Sequence, residues 1–109
     1  MFSESVKDNN LKVSFITSTS STTAVGTSID VNKYDFLILQ IRSSDGKTIY
    51  GSDIFPMDFI ADNTTVDILR YFNVLSGNFT GTLKHISGNS FTINTSNSSY
   101  LLEVYGVEK

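Results

Sequence analysis

The chain contains no cysteine and no tryptophan, and only one proline and one histidine, His85. Without cysteine there is no disulfide framework, no thiolate metal site and no thiol nucleophile. With a single imidazole, a histidine-based metal site has no second ligand of its kind, and any Ser-His-Asp triad must use His85. Residues that favour helices are scarce, with two alanines, three glutamates and one glutamine. Long apolar runs are missing too. The longest strongly apolar stretch, Phe36 to Leu39, falls far short of a membrane span, so no membrane insertion is expected. The polar start, Met1 to Asn10, lacks the apolar region of a secretory signal and points to synthesis and folding in a cytoplasm. Eight Lys plus Arg against eleven Asp plus Glu give a net charge of -3 with no basic stripe, which excludes nucleic acid as an expected partner.

What remains is rich in small polar residues. Ser, Thr and Asn fill much of the sequence, alongside eight Phe and five Tyr. Four N-x-S/T sequons, at Asn63, Asn78, Asn94 and Asn97, arise by chance in such a composition and stay unmodified outside a secretory route. A length of 109 residues supports one core. The expected organisation is a polar arm over 1–10 and a single domain over 11–109.

Short segments with alternating apolar side chains predict eight strands, at 11–17, 23–31, 35–42, 47–55, 65–74, 79–86, 90–95 and 100–107. The nearly continuous apolar run in 35–42 reads as a central strand covered on both faces. Asp45-Gly46 and Gly88-Asn89 read as hairpin turns, because these residues tolerate positive φ. Pro56 cannot donate to a ladder, so pairing should stop there, with a loop or one helical turn over 57–63. Segment 65–74 also fits a helical face through Val66, Leu69 and Phe72, and strand is preferred for its β-branched start. The expected fold is all-β: an eight-stranded antiparallel β-sandwich of jelly-roll type.

The chemical motifs are weak. Gly46-Lys47-Thr48 has the end of a phosphate-binding loop, but Ile41 stands where its first glycine belongs and the segment that follows is strand-like. His85 sits in an alternating strand beside Lys84 and reads as a surface or cross-strand residue. Asp53, Asp58 and Asp62 lack the spacing of a calcium loop and read as solvated charges. The Asn94-to-Tyr100 loop has a composition that can stack on and hydrogen-bond to a sugar. Asn94, Asn97 and Tyr100 are therefore the expected receptor or glycan contacts. No catalytic residue, cofactor or metal is expected.

Several segments together resemble the small jelly-roll modules of bacteriophage virion proteins, of the kind found at tail-fibre tips, baseplates and head fibres. They are the Ser/Thr-rich start, the line Val31-Asn32-Lys33-Tyr34-Asp35-Phe36-Leu37-Ile38-Leu39, the Phe55-Pro56 break, the hairpin Leu83 to Ile93 and the ending Val104-Tyr105-Gly106-Val107. The resemblance implies a non-enzymatic virion structural protein that decorates a particle or touches a host surface, made in a bacterial cytoplasm. It implies a homo-oligomer, with a trimer favoured, together with other virion proteins and a bacterial surface glycan as partners. Phe2, Phe59 and Tyr71 are the aromatic candidates for an oligomer interface. A stand-alone carbohydrate-binding module is the alternative.

Overall fold

The structure is a computed structural model that describes residues 11–62, 69–73 and 80–109. In chain order the elements are β1 (Val13–Thr19), β2 (Val25–Ser28), β3 (Tyr34–Ser43), β4 (Ile49–Pro56), α1 (Met57–Asp62), β5 (Leu69–Asn73), β6 (Thr80–Ser87), β7 (Ser90–Thr95) and β8 (Tyr100–Glu108). They form two antiparallel sheets. Sheet A has the order β1-β8-β3-β4 and sheet B the order β2-β7-β6-β5.

Alternation of apolar and polar residues sets the inner faces. From sheet A, Leu37, Leu39, Ile41, Leu102 and Val104 are buried, and from sheet B, Leu83, Phe91 and Ile93 join the same cluster. Gly81 of β6 faces Ile41 and Leu102 across the core, where a Cβ would crowd the terminal methyls of both. One end of the core is closed by α1. Its Met57 and Ile60, three residues apart on one face, are both buried, while Phe59 points outward and is exposed. Pro56 pairs with Phe36 as the last rung of β4, so the ladder stops where a missing N–H requires it to stop.

The expected all-β, two-sheet antiparallel architecture is what the structure has, while the jelly-roll order expected within it is not established. A jelly roll nests its strands first with last, β1 with β8 and β2 with β7, and both pairs occur. The next nested pair would join β3 to β6. Instead β3 lies between β8 and β4, and β6 between β7 and β5. The short β3–β4 connection explains the difference, because it keeps β4 beside β3 where a roll would send it to the other sheet.

Three further expectations are corrected. The strand expected over 23–31 is confined to 25–28, since the Asp30 carboxylate accepts the Asn32 N–H at 2.9 Å and turns the chain. Strand β3 is central but covered on one face only, with Leu37, Leu39 and Ile41 buried and Phe36 exposed. The Asp45-Gly46 turn is wider than a two-residue hairpin. Gly46 has φ 77° and donates to the Ser43 carbonyl at 2.8 Å, while Ser43 N–H closes the wider loop on the Thr48 carbonyl at 2.8 Å. Of the segment expected as strand over 65–74, residues 69–73 form β5, and the remainder lies outside the described residues, as do the arm 1–10, Phe2, Asn63 and Asn78.

Gly106 belongs to the inner face of β8, where the Tyr34 ring lies directly over its Cα. A Cβ at 106 would occupy the ring's place. Gly106→Ala should therefore cost about 1–3 kcal/mol, read as a lower urea midpoint, because a well-packed core resists added volume. Combined with Tyr34→Ala the loss should be less than additive, since the two residues share one space.

Candidate functional site

Three loops meet at the end of the sandwich away from α1: 20–24 between β1 and β2, 44–48 between β3 and β4, and 96–99 between β7 and β8. Each is shaped by its own small polar side chains. In the first, the Ser21 N–H donates to Thr19 Oγ1 at 3.0 Å and Ser21 Oγ donates to the Thr23 carbonyl at 2.8 Å. In the second, Asp45 Oδ1 accepts from Ser43 Oγ at 2.6 Å and from the Lys47 N–H at 2.9 Å. In the third, Asn97 Oδ1 accepts the Ser99 N–H at 2.9 Å, an Asx turn, and the Asn97 carbonyl accepts the Tyr100 N–H at 3.1 Å.

The loops are also tied to one another. Ser44 N–H donates to the Ser99 carbonyl at 3.2 Å, and Thr95 N–H donates to the Ser21 carbonyl at 2.8 Å. Fully buried Thr95 adds its hydroxyl, which lies 3.1 Å from the Asn97 carbonyl and 3.4 Å from the carbonyls of Ser20 and Ser21. Thr95 thus pins two loops at their root. The result is one surface of hydroxyl, amide and carboxylate groups, held by bonds within and between the loops. Such a surface suits recognition of a hydroxyl-rich ligand, because little ordering remains to be done on binding.

The three expected contact residues lie near this end but do not share a facing. Asn97 is exposed at the loop tip. Asn94 is on β7 opposite Thr82, on the outer side of sheet B, with its Nδ2 3.5 Å from the Thr95 carbonyl. Tyr100 begins β8 opposite Ser43 and is half-buried, its ring edge-on to Tyr50 at 5.2 Å, and both rings pack against the core. Asn97 and Tyr100 are joined through the turn; Asn94 stands apart from them. Ser43, Asp45 and Thr95 were not singled out from sequence. The Ser43-Ser44-Asp45-Gly46 string carried the signal for the first two, and nothing local marked Thr95 as buried.

His85 is not on the surface. Only 2% of it is exposed, with Nδ1 3.0 Å from the Ile60 carbonyl, Nε2 2.8 Å from the Gly88 carbonyl and the ring stacked on Phe91 at 4.5 Å. Both nitrogens face backbone acceptors, and Phe91 is its cross-strand partner. The ring fastens α1 to the β6–β7 hairpin from a buried position. Asp53 and Asp58 are exposed, and among the described residues no group of acidic or imidazole side chains is placed to hold a metal ion.

No protein-family model, curated protein or solved structure matches the chain.

Two outcomes follow from this geometry. The Ser43 hydroxyl first, and then the Lys47 N–H, hold the Asp45 carboxyl below the usual carboxylate range. The turn's stabilisation is therefore complete above the ordinary Asp value of about 3.9 and is lost as pH falls through the lower folded value. The Lys47 amide shift, followed by NMR, should titrate with its midpoint below about 3.9. His85→Leu removes the polar link between the Ile60 and Gly88 carbonyls and the ring stacked on Phe91, and should lower stability by about 1–3 kcal/mol in urea denaturation.

Proposed function

We propose that the chain is a non-enzymatic structural module of a bacteriophage virion, which mediates host-surface attachment or particle decoration. The observation that carries this reading is the knitted loop end. Three loops from both sheets present Ser, Thr, Asn and Asp on one held surface. Loops on a rigid sheet scaffold are where binding residues concentrate. The virion context rests on the resemblance described above. Its last segment, Val104-Tyr105-Gly106-Val107, lies in the C-terminal half of β8, the strand that joins β1 to β3. In this reading the nested pairs β1·β8 and β2·β7 are the outer half of a jelly roll, and the loop end is the distal surface.

A second reading, a stand-alone carbohydrate-binding module, is favoured by one feature. The Tyr50–Tyr100 pair lies at the base of the same loops, next to the exposed Asn97. Both readings place the contact at the loop end and differ in whether the module works on a particle.

Asn97→Asp keeps the Oδ1 acceptor that the Ser99 N–H needs and removes the amide donor offered to a ligand. Labelled protein on an array of bacterial surface polysaccharides, and on whole bacterial cells, should bind through this end. Asn97→Asp should weaken binding about tenfold, the value of one hydrogen bond to a ligand. Asp58→Ala, on α1 at the opposite end, should leave it unchanged. Equal binding by both variants would remove the loop end as the contact.

A further inference from the structure

The two sheets have unlike outer faces. On sheet B the outward residues of β6 and β7 include Thr82, Lys84, Thr92 and Asn94, an ordinary solvated surface. On sheet A the register places Phe15, Tyr105, Ile38 and Ile54 side by side across all four strands. Val13 and Phe36 extend the adjoining row. Phe15, Ile54, Val13 and Phe36 are 56%, 54%, 53% and 40% exposed, so nothing within the described chain covers them. Single exposed apolar residues are common on protein surfaces, whereas a contiguous patch that crosses every strand of a sheet marks an interaction site.

The polar groups beside these rows are already satisfied. Glu103 Oε1 accepts from Arg42 Nε at 2.8 Å, from Gln40 Nε2 at 3.1 Å and from Tyr105 Oη at 3.1 Å. The Arg42 guanidinium is thereby held above its ordinary pKa, chiefly by that hydrogen bond, and burial first and Glu103 second push the Tyr105 phenol up. The face therefore carries little of the chain's net charge of -3 and does not repel a copy of itself. The edge-to-face packing of Phe15 on Tyr105, at 5.6 Å and 76°, further fixes its relief.

We propose that the outer face of sheet A binds the same face of a second copy of this chain, sheet on sheet, about a two-fold axis parallel to the strands. That axis sets β1 of one copy over β4 of the other and brings Phe15 against Ile54 twice. Four strands about 4.8 Å apart, each some eight residues long, give a face of roughly 500 Å² in projection. With side-chain relief it approaches the ~800 Å² per partner of a standard stable interface. The two apolar rows alone would fall short, so the contact needs the whole face of the sheet, and another such face is the shape that supplies it. This contact does not depend on the loop-end reading.

The test is the solution mass of the full chain by sedimentation equilibrium from micromolar to hundreds of micromolar, with circular dichroism to confirm that each variant is folded. A dimer is expected. Phe15→Glu and Ile54→Glu, at positions more than half exposed, should each raise its dissociation constant about a hundredfold. Phe59→Glu, on α1, should not change it. A monomer throughout, a dimer indifferent to both face variants, or the trimer implied by the virion resemblance would overturn the proposal.

Discussion

Sheet A exists as one sheet only because β8 runs through it. Strand β8 hydrogen-bonds to β1 along one edge and to β3 along the other, so that among the described residues β1 has no ladder except through β8. The same strand supplies Leu102 and Val104 to the core, Gly106 to the space beneath Tyr34, and Tyr105 and Glu103 to the outer face. Backbone pairing, core volume and surface chemistry are thus concentrated in nine residues. With no cysteine to form a disulfide, those ladders and that packing are what hold the first and last strands together.

The abundance of Ser, Thr and Asn finds its use in the turns. Ser21, Ser43, Asp45, Asn97 and Asp30 each close a turn through a side-chain oxygen, and buried Thr95 bridges two loops. Small polar side chains compete well with regular secondary structure at such places. A chain with one proline and few glycines can therefore make tight connections by other means.

What could be read from the sequence was the two-sheet architecture and the inner faces. Leu37, Leu39 and Ile41 alternate as a half-buried strand should, and Pro56 ends its ladder for the reason its chemistry gives. Phe36 and Ile38 misled, because an apolar residue on the second face of a strand looks the same whether the chain itself covers it or leaves it bare. His85, read as a surface or cross-strand residue, is cross-strand to Phe91 and buried, a position marked by its sharing the parity of buried Leu83 in β6. Tyr100 shares its parity with Leu102 and Val104, which places it over the core rather than at a loop tip. The full strand order was not legible, since nothing local to β4 or β6 says which of the two sheets each joins. Of the candidate site, the turn-forming strings were visible, but the bonds that tie one loop to another were not.

The position of β8 in chain order shapes how the fold is reached. During synthesis the β3–β4 and β6–β7 hairpins can form as soon as their residues emerge, whereas β1 must wait until residues 100–108 are made. Contacts that close so late and across such a separation make folding slow. Through that interval the inner face of β3 and one whole edge of it stand open. The nascent chain is thus most exposed to mispairing with its neighbours at the strand that later becomes the centre of sheet A, and its yield should depend on crowding among unfinished chains more than on the stability of the finished one.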